Sequence, residues 1–222
     1  VSLANVVINH DRALISVDTR AGFIEGAEDL ADAETFQNRH AAKLWLFPHM
    51  NMAMTQRGDG LLTSTVRNLL ERSLPDSFDD AVRLMPDLLG FAYADAVESR
   101  RQALGIDDFP GAEIVLVGWS PCNLSFQAMR WRRYPTDSGF TQSRVDKMLL
   151  LPEIDRIEPV DLPDTAEKME AVARRQVAWV RRDHPSLACG GRLLLAELTR
   201  DAVTVRTIAE LERSAHDTKR AG

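Results

Sequence analysis

Cysteine is nearly missing from this 222-residue chain, which holds only Cys122 and Cys189. Two thiols are too few for a cysteine-based metal framework, and they lie far apart in sequence. No run approaches the roughly 20 apolar residues of a membrane-spanning helix. No basic excess exists either. Lys and Arg number 27 against 33 Asp and Glu, for a net charge of −6, and no long basic run occurs, so a dominant nucleic-acid role is disfavoured. His10, His40, His49, His184 and His216 show no ligand spacing, so no metal is expected, and nothing calls for a cofactor. A glycine-rich strand–turn–helix signature is also lacking, which argues against a doubly wound nucleotide-binding fold. The start, Val1 to Arg12, has no basic n-region or cleavage signal. A cytoplasmic, reducing setting is the default expectation.

What is present is the composition of a globular protein. The hydrophobic set makes up 45% of the chain and charged residues 27%. A chain of this length buries roughly 70% of the surface its unfolded form exposes, enough to need no staples. Aromatic residues amount to 6%. One basic–aromatic cluster occurs, Arg130, Arg132 and Arg133 around Trp131, and it reads as a solvated strand end.

Element types follow from periodicity. Residues 3–8 and 13–17 are β-rich runs around a polar turn, and 43–47 and 50–55 form a second hairpin around Pro48-His49. Residues 20–40 read as an exposed loop. Helical spacing begins at Leu61, with Thr63 or Ser64 near the start, and a second helical region runs from about Asp79 to Leu104. Pro86 is expected to divide or kink that region, and Gly105 to close it. Residues 113–119 and 124–131 are strands, and Pro135 to Pro163 reads as a loop with one apolar run at 148–151. Asp164–Arg182 is an amphipathic helix with Asp164 and Glu167 as a capping pair. Residues 192–198 and 202–208 form the last hairpin, and the tail 213–222 is expected to fray. No linker composition divides the chain. Residues 1–222 are taken as one domain of class α+β, a four-layer αββα sandwich of two antiparallel sheets with helices outside.

Four stretches carry a family resemblance. Ile15-Ser16-Val17-Asp18-Thr19-Arg20 resembles the end of the second strand in proteasome β-subunits and heat-shock locus V peptidases. Lys43-Leu44 resembles the opening of their next strand, and Gly118-Trp119 a glycine-tryptophan pair after their second helix. Arg182-Asp183 through Cys189-Gly190-Gly191 resembles the segment joining their last helix to their last hairpin. The chain thus resembles the N-terminal nucleophile (Ntn) hydrolases. That resemblance implies a catalytic set of Ser2, Asp18 and Lys43, a peptide or small amide as substrate, and a homo-oligomer built as a ring or stacked rings. In such chemistry the first residue's hydroxyl attacks the amide. Its own α-amine, with a pKa near about 8, accepts the proton. A lysine favours the neutral amine and a carboxylate orients the lysine.

Departures from the pattern are specific. Val1 precedes Ser2, so Ser2 has its own amine as base only if Val1 is removed. Arg57 falls where a glycine-rich stretch would line the substrate groove, Ser186 where an aspartate is expected, and Cys189 where a serine is expected. Each site residue also has an ordinary reading. Ser2 is then a strand-start serine, Asp18-Thr19-Arg20 a strand-end turn, Lys43 an exposed strand-start lysine and Cys189 a small buried packing residue. Two functions therefore stand: an amide hydrolase using Ser2, and a non-catalytic scaffold subunit of the same fold. Phe91, Tyr93 and Trp179 on the outer helices are candidates for assembly contacts, core packing being the alternative for each.

Overall fold

A computed structural model describes residues 2–20, 41–105, 107–154, 162–184 and 189–211. Strands β1 (Ala4–Ile8) and β2 (Arg12–Asp18) pair antiparallel around a turn in which the Asn9 N–H donates to the Arg12 carbonyl. Side chains alternate across a strand. Ala4, Val6, Ile8, Ala13, Ile15 and Val17 pack toward Ala53, Val115 and Val117 of the other sheet. Val7 and Leu14, on the opposite face, meet Met169. Burial on both faces is why these strands read as nearly unbroken apolar runs.

The first sheet has the order β10-β9-β2-β1-β8, with β8 at Met148–Leu151, β9 at Arg192–Thr199 and β10 at Val203–Glu210. The second has the order β3-β4-β5-β6-β7. Its strands are β3 (Leu44–Phe47), β4 (Met52–Gly58), β5 (Ala112–Ser120), β6 (Ser125–Arg133) and β7 (Thr141–Val145). All pairings are antiparallel. Helices α1 (Gly60–Ser73) and α2 (Phe78–Leu104) cover the outer face of the second sheet, placing Leu62, Leu70, Met85 and Leu89 on Met52, Met54, Ile114 and Trp131. Helix α3 (Ala166–Asp183) covers the first sheet through Met169, Ala173, Val177 and Val180. Two antiparallel sheets flanked by helices is the expected α+β sandwich.

One polar pair is built into the α3 layer. The Gln176 and Asn5 amides exchange hydrogen bonds of 2.8 and 2.9 Å, and Leu151 N–H donates to Asn5 Oδ1 at 3.2 Å. Both side chains are buried. Reciprocal pairing removes the penalty that either amide alone would carry.

Several expectations need correction. Helix α2 runs unbroken through Pro86. Proline costs a helix interior about 3 kcal/mol, but Pro86 lies on the exposed side. Burying Met85 and Leu89 on the other side contributes about 1.5–3 kcal/mol each. The stretch expected as a loop contains strands β7 and β8. β7 was hidden because four of its five residues are exposed, so it has no apolar signature. Helix α1 is capped by Asp59, which accepts from Leu62 N–H at 2.7 Å, rather than by Thr63 or Ser64. Helix α3 is capped by Thr165, while Asp164 pairs with Lys168 at 2.9 Å. The arginines around Trp131 are not a solvated strand end. Arg130 pairs with Glu113 and Glu153, Arg132 lies 4.4 Å from the centroid of the Tyr134 ring and Arg133 lies 3.7 Å from that of Tyr93. The expected loop at 21–40 and the tail 213–222 lie outside the described residues.

Gly118 shows why the glycine-tryptophan pair needs a glycine. A Cβ there would come within 2.7 Å of the Phe78 ring and 3.2 Å of the Asn51 carbonyl. Gly118→Ala is expected to lower stability by about 1–3 kcal/mol through overpacking. Gly139→Ala, whose Cβ would meet nothing within 4 Å, should stay within about 0.5 kcal/mol. Urea unfolding of both variants checks this; equal effects would contradict the close approach.

Candidate active site

Strand β2 ends at Asp18, whose carboxylate is fully buried and is met by three donors from three parts of the chain. Leu3 N–H donates to Oδ1 at 2.8 Å, Lys43 Nζ reaches the same oxygen at 2.8 Å, and Gly190 N–H donates to Oδ2 at 2.9 Å. The Lys43 side chain is 3% exposed. The reading of Lys43 as an exposed strand-start lysine is therefore overturned. Its carbonyl accepts from Thr55 Oγ1 at 2.9 Å, which pins the residue to β4 just before β3 begins.

Around Asp18 the backbone is equally tied. Thr19 N–H donates to the Arg192 carbonyl at 3.0 Å, and Thr19 Oγ1 accepts from Arg192 N–H at 3.0 Å. Arg20 N–H donates to the Gly190 carbonyl, and Ala41 N–H to the Thr19 carbonyl. Gly190 and Gly191 have φ of +135° and +75°, which side-chain-bearing residues rarely adopt. That backbone turns the Gly190 N–H onto Asp18 and lets Gly191 accept from Leu211 N–H at 2.8 Å.

Of the three residues singled out in the sequence, Asp18 and Lys43 are in direct contact. Ser2 is half-buried and immediately precedes Leu3, whose amide is bound to Asp18. Cys189 is buried among Leu3, Val177, Val180 and Leu193. Burial, and then the Asp18 charge, push its thiol up to about 12. A thiol so raised is about one part in ten thousand thiolate at pH 8, so it packs rather than reacts. Ser186 lies outside the described residues. Arg57 is drawn to Glu113 on β5 at 3.6 Å. Gly118-Trp119 belongs to the packing of the second sheet. Trp119 N–H donates to the Asn51 carbonyl and its ring meets Phe126 edge-on.

The backbone donors Leu3 and Gly190 and the side chain of Thr55 were not anticipated. Main-chain donors leave no residue-type signal. Gly190-Gly191 was the one available clue, since paired glycines mark a turn that brings backbone close to something. Among the described residues no cluster of His, Cys, Asp and Glu could hold a metal ion, and no helix is long and apolar enough to cross a membrane.

The layers and the strand orders define the architecture. The fold is the proteasome-like Ntn-hydrolase sandwich. Among solved structures the chain is similar to a mutant of Anbu from Hyphomicrobium sp. strain MC1, at 14% identity and TM-score 0.60, covering 100% of this chain and 96% of that one. It is also similar to Anbu from Yersinia bercovieri, described as an ancestral beta-subunit, at 14% identity and TM-score 0.57, covering 94% and 87%. A further Anbu structure from the Hyphomicrobium strain has 16% identity and TM-score 0.56, covering 99% and 95%. No protein-family profile matches the sequence, and no curated protein matches it significantly. At such low identity the proteasome-like likeness is one of fold.

Two measurements follow from the site. Lys43→Met leaves a buried carboxylate with backbone donors only, and is expected to cost about 3–5 kcal/mol in urea unfolding. A loss below 1 kcal/mol would mean that the pair is not buried as described. Iodoacetamide at pH 8 should modify one thiol per native chain, the exposed Cys122. It should do so slowly, because the hydrogen bond to Asp79 and the charge on Asp79 raise that thiol. Rapid native labelling of Cys189 would contradict its burial.

Proposed function

We propose that this chain is a proteasome-fold subunit with a structural role in a homo-oligomeric assembly, and that Asp18 and Lys43 hold the chain together rather than activate a nucleophile. The observation that carries this reading is the bonding of Asp18. Its two oxygens receive the Leu3, Lys43 and Gly190 donors in a fully buried setting, so the pair has a complete structural purpose without any reaction. The substitution at Cys189 supports it. Where the resemblance implies a serine hydroxyl, this chain has a buried thiol that stays protonated. The outer helices supply surface for assembly. Phe91 on α2 is 71% exposed and Leu61 on α1 is 41% exposed. Tyr93 is half-buried and packs edge-on against Phe109, and Trp179 packs beside α3's buried face, so those two are core residues more than contacts.

A second reading is favoured by one observation, the linkage of Ser2 to Lys43 through Leu3 and Asp18. In that reading Ser2 carries a free α-amine. The amine takes the hydroxyl proton, the oxygen attacks the carbonyl of a peptide or small amide, and the amine leaving group departs with a proton. Water then hydrolyses the acyl ester. The Lys43 charge favours the neutral amine before attack.

Sedimentation velocity on the natural chain, together with an epoxyketone probe that reacts with an N-terminal hydroxyl and amine, separates the two. The structural role predicts an assembled species, no probe adduct and unchanged assembly in Ser2→Ala. A monomer at high concentration would refute it. A natural chain beginning at Ser2, with an adduct lost in Ser2→Ala, would establish the hydrolase instead.

A further inference from the structure

A groove of about 330 Å³ opens on the outer side of the second sheet, between α2, β6 and the segment leading into β7. It sits at the opposite edge of that sheet from β3, and so away from Asp18 and Lys43. Its volume falls at the lower end of the roughly 300–1,000 Å³ typical of small-molecule sites. Leu89, Tyr93, Trp131 and Phe140 give it an aromatic and apolar wall, and Arg133 is the one charged residue lining it.

Two features of this wall bear on what it could hold. The Arg133 guanidinium lies 3.7 Å from the centroid of the Tyr93 ring and 5.9 Å from that of Phe109, yet it has no carboxylate partner among the described residues. Arg57 and Arg130 share Glu113 and Arg100 has Asp59, while Arg132, stacked on Tyr134, resembles Arg133 but does not line the groove. Stacking fixes the plane of a guanidinium and leaves its edge donors for a planar anion. Gly90 and Gly139 also line the groove, and a Cβ at either would meet nothing within 4 Å. Glycine is unfavourable inside a helix, and no neighbour of Gly90 requires it. What its missing side chain provides is an open groove.

We propose that this groove binds a small aromatic monocarboxylate, with its ring against Leu89, Trp131 and Phe140 and its carboxylate accepting from Arg133. A single cation matches a single negative charge. A phosphate dianion would call for more positive charge than the described wall holds. The mixed aromatic and aliphatic lining matches an aryl body.

Titration calorimetry on the whole chain tests this with phenylacetate as the probe and phenylacetamide, its neutral counterpart, as the control. Phenylacetate should bind saturably at one site per chain, and phenylacetamide about tenfold or more weakly, reflecting loss of the charge-assisted contact. Arg133→Gln should weaken phenylacetate binding to a similar degree. Gly90→Leu improves helix propensity and so keeps the fold, which circular dichroism checks, but fills the groove and should abolish binding. No saturable heat up to the solubility of phenylacetate, equal affinity for the amide, or parental affinity in Gly90→Leu would each overturn the proposal.

Discussion

The Asp18 carboxylate is the point on which the arrangement of the chain depends. It is fully buried, and it joins the segment before β1, the residue before β3 and the glycine turn before β9 to the end of β2. An isolated carboxylate in such a place would be strongly disfavoured. Lys43 supplies the opposite charge, and two backbone amides supply further bonds that the ammonium alone would not provide. Because one of the linked segments leads into the second sheet and the others belong to the first, the pair also sets how the edges of the two sheets meet. Stability and any chemistry at this end of the sandwich draw on the same few atoms.

Elsewhere the sandwich keeps polarity away from the inter-sheet layer. That layer draws on β1, β2, β4, β5, β6, β8 and β9 with Val145 of β7, and its buried residues are aliphatic apart from Phe126. Polar groups enter where they are paired, as Asn5 is with Gln176 and Asp59 with Leu62 N–H and Arg100. The outer layer between the second sheet and α1 and α2 is different in kind, rich in methionine and aromatic residues, Trp131 among them. Its irregular side chains leave the groove beside Arg133.

Much of the architecture was legible in the sequence. Strands buried on both faces announce themselves as apolar runs, and α3 through the helical spacing of Met169, Val172, Gln176, Val177 and Val180. β7 was not legible, since Thr141 to Arg144 are all exposed at the sheet edge. Pro86 misled because the rule against proline inside helices weighs one hydrogen bond, whereas α2 is held by a whole buried face. The arginines flanking Trp131 read as solvated because charge runs usually are; their aromatic and acidic partners are distant in sequence. At the site, Asp18 and Lys43 could be identified by side-chain type and order. Leu3 and Gly190 contribute only main-chain amides, which no residue pattern reports.

Native-state hydrogen exchange of the Leu3 and Gly190 amides tests the role of Asp18 most directly. If the carboxylate clasps both segments, the two amides exchange as slowly as the core amides of β2, through global unfolding alone, and both become faster in Asp18→Asn. Exchange of either amide in the parent chain at the rate of an exposed loop would contradict the clasp.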